Sequence, residues 1–188
     1  MAYQPSSLRL RAAASALQAG GVVACPTEAV WGLSCDPEND EAVARVLQLK
    51  GRPVEKGLIL VAASVSQLGF LISELPADQR QLLDDSWPGP NTWLVPHRNR
   101  VQPWIHGAFD TVAVRVSSHP VVRSLCRAFG GPLVSTSANP AGAQPARCGF
   151  QVLRYFGGEL DGLLPGAVGA AGRPSQIRDL KTGRVIRA

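Results

Sequence analysis

The sequence predicts an α/β fold, a twisted mixed sheet with flanking helices, on three observations. Segments of helical and strand-like pattern interleave from one end of the chain to the other. The run Leu58 to Ala63 is apolar throughout and reads as a buried strand, as strands covered on both faces do. The C-terminus has the pattern of a hairpin around Lys181-Thr182-Gly183, which adds antiparallel pairing and makes the sheet mixed. With 188 residues, 45% of them hydrophobic, the chain can bury one sizeable core, so one domain is expected.

Taken in order, Ser6 or Ser7 caps a first helix whose Leu10, Ala13, Ala14 and Leu17 recur at helical spacing, and Gly20-Gly21 ends it before a strand at Val22 to Cys25. A second helix is predicted from Asp40 to Lys50, then the strand at Leu58 to Ala63 and short helical segments at Val65 to Ile72 and Pro76 to Asp85, with Pro76 in the first helical position. The turn formers Trp87-Pro88-Gly89-Pro90-Asn91 lead into a strand at Thr92 to Val95. Residues 96–110 hold no period and read as a loop, whereas Thr111 to Val116 alternates strictly and reads as a strand. A helix from His119-Pro120 to Phe129, a strand from Leu133 to Thr136, a helix from Phe150 to Phe156 and a Gly-rich stretch over 157–172 precede the hairpin.

A net charge of +5, from 19 basic and 14 acidic residues, suits an anionic partner such as a nucleotide or RNA. Sixteen of the cations are arginine, so Lys50 and Lys56 stand out within one short segment. No apolar run approaches the ~20 residues of a membrane span, and the N-terminus lacks the apolar stretch of a signal peptide, so a cytoplasmic protein is expected. Cys25, Cys35, Cys126 and Cys148 form no C-x-x-C pair and read as reduced, structural, buried thiols. His97, His106 and His119 show no metal-ligand spacing, and no metal site is assigned. Neither a Walker nor a Rossmann glycine motif is present, so any bound phosphate is gripped by other means.

Three patterns supply candidates. In the second helix Val43, Val46 and Leu47 define a stripe whose next position is Lys50, which therefore points inward. Such a lysine either snorkels beside the helix C-terminus or, with Arg52 across Gly51, converges on a polyanion. Along the strand at 133–139, Ser135, Ser137 and Asn139 share a face, either to bind phosphate and hydroxyl oxygens or to satisfy their own turn. Thr111, Ala113 and Arg115 share a face of their strand, leaving Arg115 either to bind a carboxylate or to meet solvent. Pro26-Thr27-Glu28 follows a strand end, where open α/β sheets place ligand loops or plain caps.

Together, Pro26-Thr27-Glu28-Ala29-Val30-Trp31-Gly32-Leu33, Lys50-Gly51-Arg52-Pro53, Trp87-Pro88-Gly89-Pro90-Asn91-Thr92, Val114-Arg115 and Ser135-Thr136-Ser137-Ala138-Asn139 resemble the YrdC/TsaC family of threonylcarbamoyl-AMP synthases. The resemblance spans residues 7–187 as one YrdC-like domain of the family's short bacterial form, and implies a sheet around a basic concave cavity. The implied reaction condenses L-threonine, bicarbonate and ATP, with Mg²⁺, into threonylcarbamoyl-AMP and pyrophosphate. A tRNA-modifying threonylcarbamoyl-transferase complex then uses the product on the adenosine 3′ of the anticodon in tRNAs reading codons that start with A.

By resemblance Lys50 and Arg52 are catalytic and hold the triphosphate, and Thr111, Ser137, Asn139 and Arg187 bind the nucleotide. Thr27, Arg115, Ser135 and Ser175 take the amino acid, with Arg115 on its carboxylate. The chain departs from the family's pattern at Ala29, where many members carry a second threonine, and at Trp31, where many carry tyrosine. Amino-acid selectivity is the property those departures touch. The competing reading is a non-catalytic RNA-binding or ribosome-maturation factor, and direct binding of tRNA or double-stranded RNA stays open beside either.

Overall fold

The structure, a computed structural model, describes residues 5–172 and 175–187. Helices α1 (Ser7–Gln18), α2 (Asp40–Lys50), α3 (Gly69–Ile72), α4 (Ala77–Ser86), α5 (Pro103–His106), α6 (Pro120–Phe129) and α7 (Gly149–Phe156) alternate with strands. The strands are β1 (Val23–Pro26), β2 (Trp31–Ser34), β3 (Ile59–Ala62), β4 (Asn91–Pro96), β5 (Thr111–Val116), β6 (Leu133–Ser137), β7 (Gly162–Leu163), β8 (Gln176–Asp179) and β9 (Val185–Arg187). They form one sheet in the order β7-β1-β2-β6-β3-β5-β4-β8-β9. Its pairing is mixed: β3 runs parallel to β5 and antiparallel to β6, while β8 and β9 make the terminal hairpin.

Local chemistry accounts for the ends of these elements. Ser6 accepts from the Arg9 N–H at the start of α1, and the Asn39 side chain accepts from the Ala42 N–H at 2.8 Å to start α2. Helix α2 ends in the left-handed Gly51 (φ 59°), with the Gly51 and Arg52 N–H groups returned to Gln48 and Leu47 carbonyls. Pro76 caps α4 from outside rather than opening its first turn, and Val65–Leu68 forms a 3₁₀ turn before α3.

Alternation along the strands divides the core in two. Val22, Ala24, Leu60, Ala62, Val112 and Val114 point to one face, where α2, α3, α4, α5 and α7 cover them with residues such as Val43, Leu71, Leu83, Ile105 and Phe156. Val23, Cys25, Val61, Ala63 and Leu133 point to the other, beneath α1 and α6, through Ala13, Leu17, Val121, Leu125 and Cys126. Those two helices roof only part of that face. The rest is left open where Ile59, Ala113 and Ser135 lie abreast in register, and this uncovered stretch is the floor of a cavity.

Several expectations change. The Thr27-to-Val30 turn joins β1 to an unexpected strand, β2, as an antiparallel hairpin in which Pro26 faces Trp31. The loop at 96–110 contains α5, opened by Pro103, and the Gly-rich stretch supplies β7. Cys148 is exposed, unlike the buried Cys25, Cys35 and Cys126. No helix among the described residues is long and apolar enough to cross a membrane.

Candidate active site

The cavity has a volume of about 680 Å³ and brings together all ten residues singled out from the sequence. Lys50, Arg52, Thr111, Ser137, Asn139 and Arg187 line it, as do Thr27, Arg115, Ser135 and Ser175. Arg173 and Pro174, next to Ser175, lie outside the described residues.

The C-terminal end of α2 is tied to the loop after β6, since the Ala141 N–H donates to the Lys50 carbonyl at 2.8 Å. Across this junction the Lys50 ammonium, buried to 7% exposure, donates to the Ser137 carbonyl and to the Asn139 carbonyl at 3.0 Å. The Ser137 hydroxyl donates to Asn139 Oδ1 at 2.6 Å, and Asn139 Nδ2 donates to the Ala143 carbonyl at 2.9 Å. The two polar segments of the sequence are therefore one structure. Neutral carbonyls hold the lysine, and no carboxylate does so among the described residues, leaving its charge uncompensated. Burial and then neighbouring Arg52 push its pKa down to about 8.

Arg52 turns its guanidinium onto its own loop, donating to the Gly57 carbonyl at 2.8 Å and the Lys56 carbonyl at 3.0 Å. Burial, and beside it Arg187, lower its pKa; burial and then Arg115 lower that of Arg187. All four cations, Lys50, Arg52, Arg187 and Arg115, line the one cavity. Strand register sets two of them apart: from the level where Ile59 lies beside Ala113 and Ser135, Arg115 is two residues on in one direction and Ser137, which holds Lys50, is two residues on in the other. Arg187 is steadied by the Ser175 carbonyl at 3.0 Å, and the Ser175 hydroxyl pairs with Thr92 Oγ1 at 2.8 Å.

At the far end Arg115 is buried, not solvent-facing, and its Nη2 lies 3.6 Å from Glu28 Oε2. Burial raises the Glu28 pKa, but Arg115, the Ser117 hydroxyl and backbone N–H groups outweigh it and hold the carboxyl below its ordinary value. Thr27 Oγ1 donates to the Val30 carbonyl at 2.8 Å within the β1–β2 turn, and the residue lines the cavity. Ala29 and Trp31 are both buried and both line the cavity, and the Trp31 ring also packs beside Gly149, where an added Cβ would stand 3.3 Å from the indole.

Lys56, which stood out beside Lys50 in the sequence, also lines the cavity. Sequence reasoning missed the Glu28–Arg115 pair and the His97–His106 stack, whose rings lie 3.9 Å apart with His106 on the cavity side. Only the position of Glu28 after Thr27 offered a signal. Among the described residues no cluster of three or more His, Cys, Asp or Glu is arranged to hold a metal ion.

Fold and cavity together define an α/β protein with a cationic cleft suited to a small, elongated polyanion. The chain belongs to the Sua5/YciO/YrdC family, whose model, described as "Telomere recombination", matches residues 15–188. It is similar to proteins named threonylcarbamoyl-AMP synthase. One, from Pseudomonas paraeruginosa (strain DSM 24068 / PA7), is 58% identical over 97% of this chain and 98% of its own length. Another, from Saccharophagus degradans (strain 2-40 / ATCC 43961 / DSM 17024), is 59% identical over 90% of this chain and 88% of its own length. Among solved structures, P. abyssi Sua5 complexed with L-threonine superposes with a TM-score of 0.90 at 32% identity. That match covers 97% of this chain and 54% of the P. abyssi chain, so this protein spans about half the length of that one. E. coli YciO shares the fold, with a TM-score of 0.87 at 23% identity over 99% of this chain and 91% of its own.

Proposed function

We propose that this protein is a threonylcarbamoyl-AMP synthase, a nucleotidyltransferase that joins L-threonine, bicarbonate and ATP and releases pyrophosphate. The observation that carries the reading is the gathering of four cations on one cavity, with Lys50 uncompensated toward one end of its floor and Arg115 paired with a carboxylate toward the other. Such an arrangement matches a ligand set with phosphates at one end and a carboxylate at the other. The relatives named for this activity over nearly the whole chain, and the neighbour complexed with L-threonine, support it.

In this reading the threonine carboxylate lies on Arg115, with Ser135, Thr27 and Ser175 around the rest of the amino acid. The amine, once deprotonated, bonds to CO₂ formed from bicarbonate and becomes a carbamate. A carbamate oxygen then bonds to the α-phosphorus as the bond to the β-phosphate oxygen breaks, and the electron pair leaves with pyrophosphate. Lys50, Arg52 and Arg187 neutralise the charge gathering on that leaving group, and Thr111, Ser137 and Asn139 hold the nucleotide. Magnesium enters as part of the substrate, on the phosphate oxygens of ATP. Both oxygens of Glu28, the carboxylate on the cavity wall, face protein donors or Arg115.

The product, a mixed anhydride, passes in this reading to the tRNA-modifying threonylcarbamoyl-transferase complex in the cytoplasm, with residues 7–187 acting as a single domain. Incubation with ATP, Mg²⁺, bicarbonate and single amino acids is expected to release pyrophosphate when threonine is present. Release indifferent to threonine would overturn the proposal. Serine, lacking only a methyl contact worth roughly 1 kcal/mol, is expected to be a poorer but measurable substrate.

A further inference from the structure

The cavity sets the cations Lys50, Arg52, Lys56, Arg115 and Arg187 against one carboxylate, Glu28, among the described residues. A set of like charges poses a problem of register. A triphosphate could settle on any of them, and a phosphate on Arg115 would occupy the place of the amino-acid carboxylate. The geometry of Glu28 answers this problem. Its Oε1 accepts from the Ser117 hydroxyl at 2.7 Å and the Ser118 N–H at 3.0 Å, so the carboxylate is fixed. Its Oε2 has no hydrogen-bond partner and stands 3.6 Å from Arg115 Nη2, beyond hydrogen-bond length, with both side chains 8% exposed.

Arg115 Nε is likewise buried without a partner. The pair therefore cancels charge without a direct hydrogen bond between its partners, an arrangement costly to bury. Repulsion from Glu28 grows with the charge of the approaching group. A triphosphate is penalised several times more than a monoanion.

We propose that Glu28 is a positioning residue that sets the register of the two substrates, turning polyphosphate away from Arg115 and reserving that guanidinium for a singly charged carboxylate. The proposal rests on the reading of the cavity as a site for an amino acid beside a nucleoside triphosphate.

Calorimetric titration of the full chain with inorganic tripolyphosphate, with and without threonine, tests it. The native protein is expected to bind both ligands together. Glu28→Gln, which keeps an acceptor for Ser117 and Ser118 but loses the charge, is expected to bind tripolyphosphate about tenfold more tightly, and threonine then competes with it. The double variant Glu28→Gln/Arg115→Gln leaves no orphan charge, so it keeps the test alive if the single variant does not fold. Its tripolyphosphate affinity is expected to stay within about twofold of native, because Arg115 takes no share of the polyphosphate. Unchanged or weaker binding by Glu28→Gln, or a tenfold loss in the double variant, would overturn the role given to Glu28. A native chain that takes tripolyphosphate but no threonine would instead overturn the functional reading, and the comparison among the three chains would still decide the role of Glu28.

Discussion

Lys50 and Arg115 are both buried cations on one cavity, yet the protein holds them in opposite ways. Lys50 spends its protons on the Ser137 and Asn139 carbonyls, dipoles that orient it without cancelling its charge. Arg115 is matched by the formal charge of Glu28 and keeps buried donor capacity in hand. A cation fixed by dipoles remains a net positive centre and suits a multiply charged ligand. One fixed by a carboxylate suits a ligand whose value lies in geometry and donor count.

The comparison predicts unequal consequences at the two ends. Lys50→Ala and Lys50→Met are both expected to cut turnover in the pyrophosphate-release assay about 10²-fold or more, the scale of losing a group that stabilises developing charge. Their unfolding midpoints should stay near native, because removing the lysine also removes the cost of burying its charge. Full activity in Lys50→Met would mean that the stem alone matters. Arg115→Gln is expected to raise the KM for threonine roughly 10- to 100-fold, the worth of charge-assisted hydrogen bonds, with little change in the KM for ATP. An equal rise in both would erase the distinction between the ends.

A smaller effect follows from titration. Burial lowers the Lys50 pKa from 10.5 to about 8, so the unfolded chain binds more protons at this residue between those values. The Lys50 contribution to stability therefore rises with pH across that window. Chemical denaturation should show native protein gaining on Lys50→Met from pH 8 to 10.5, while ATP affinity falls as the ammonium loses its proton. The smallest effect is expected from Thr92→Val, which deletes the buried partner of the Ser175 hydroxyl behind Arg187. A loss of about 1 kcal/mol in unfolding free energy, with turnover nearly kept, is the expected result.

What the sequence disclosed was mainly local. The stripe of α2 placed Lys50 inward, with Val43 and Val46 fully buried beside it, because helical period and a glycine cap act within a few residues. Alternation likewise put Thr111, Ala113 and Arg115 on one side of β5, and all three reach the cavity. Strand β2 escaped notice because Trp31-Gly32-Leu33-Ser34 has no period of two: all four residues are buried, between β1 and β6. The Glu28–Arg115 pair was invisible for a different reason. Its partners are far apart in the chain, and sheet order, which nothing local specifies, brings them together. The family resemblance supplied roles for single residues but not this pairing.

The two walls of the cavity also differ in how firmly the chain holds them. Lys50 projects from the capped end of an eleven-residue helix packed into the main core. Arg187 and Ile186 belong to β9, a three-residue outer strand, exposed along its length and, among the described residues, paired in the sheet with β8 alone, across a register shift at Ile177/Arg178. Segments so sparsely anchored open far more often than the domain unfolds. A ligand spanning from Lys50 to Arg187 would therefore tie the outermost strand of the sheet to a helix anchored in the main core.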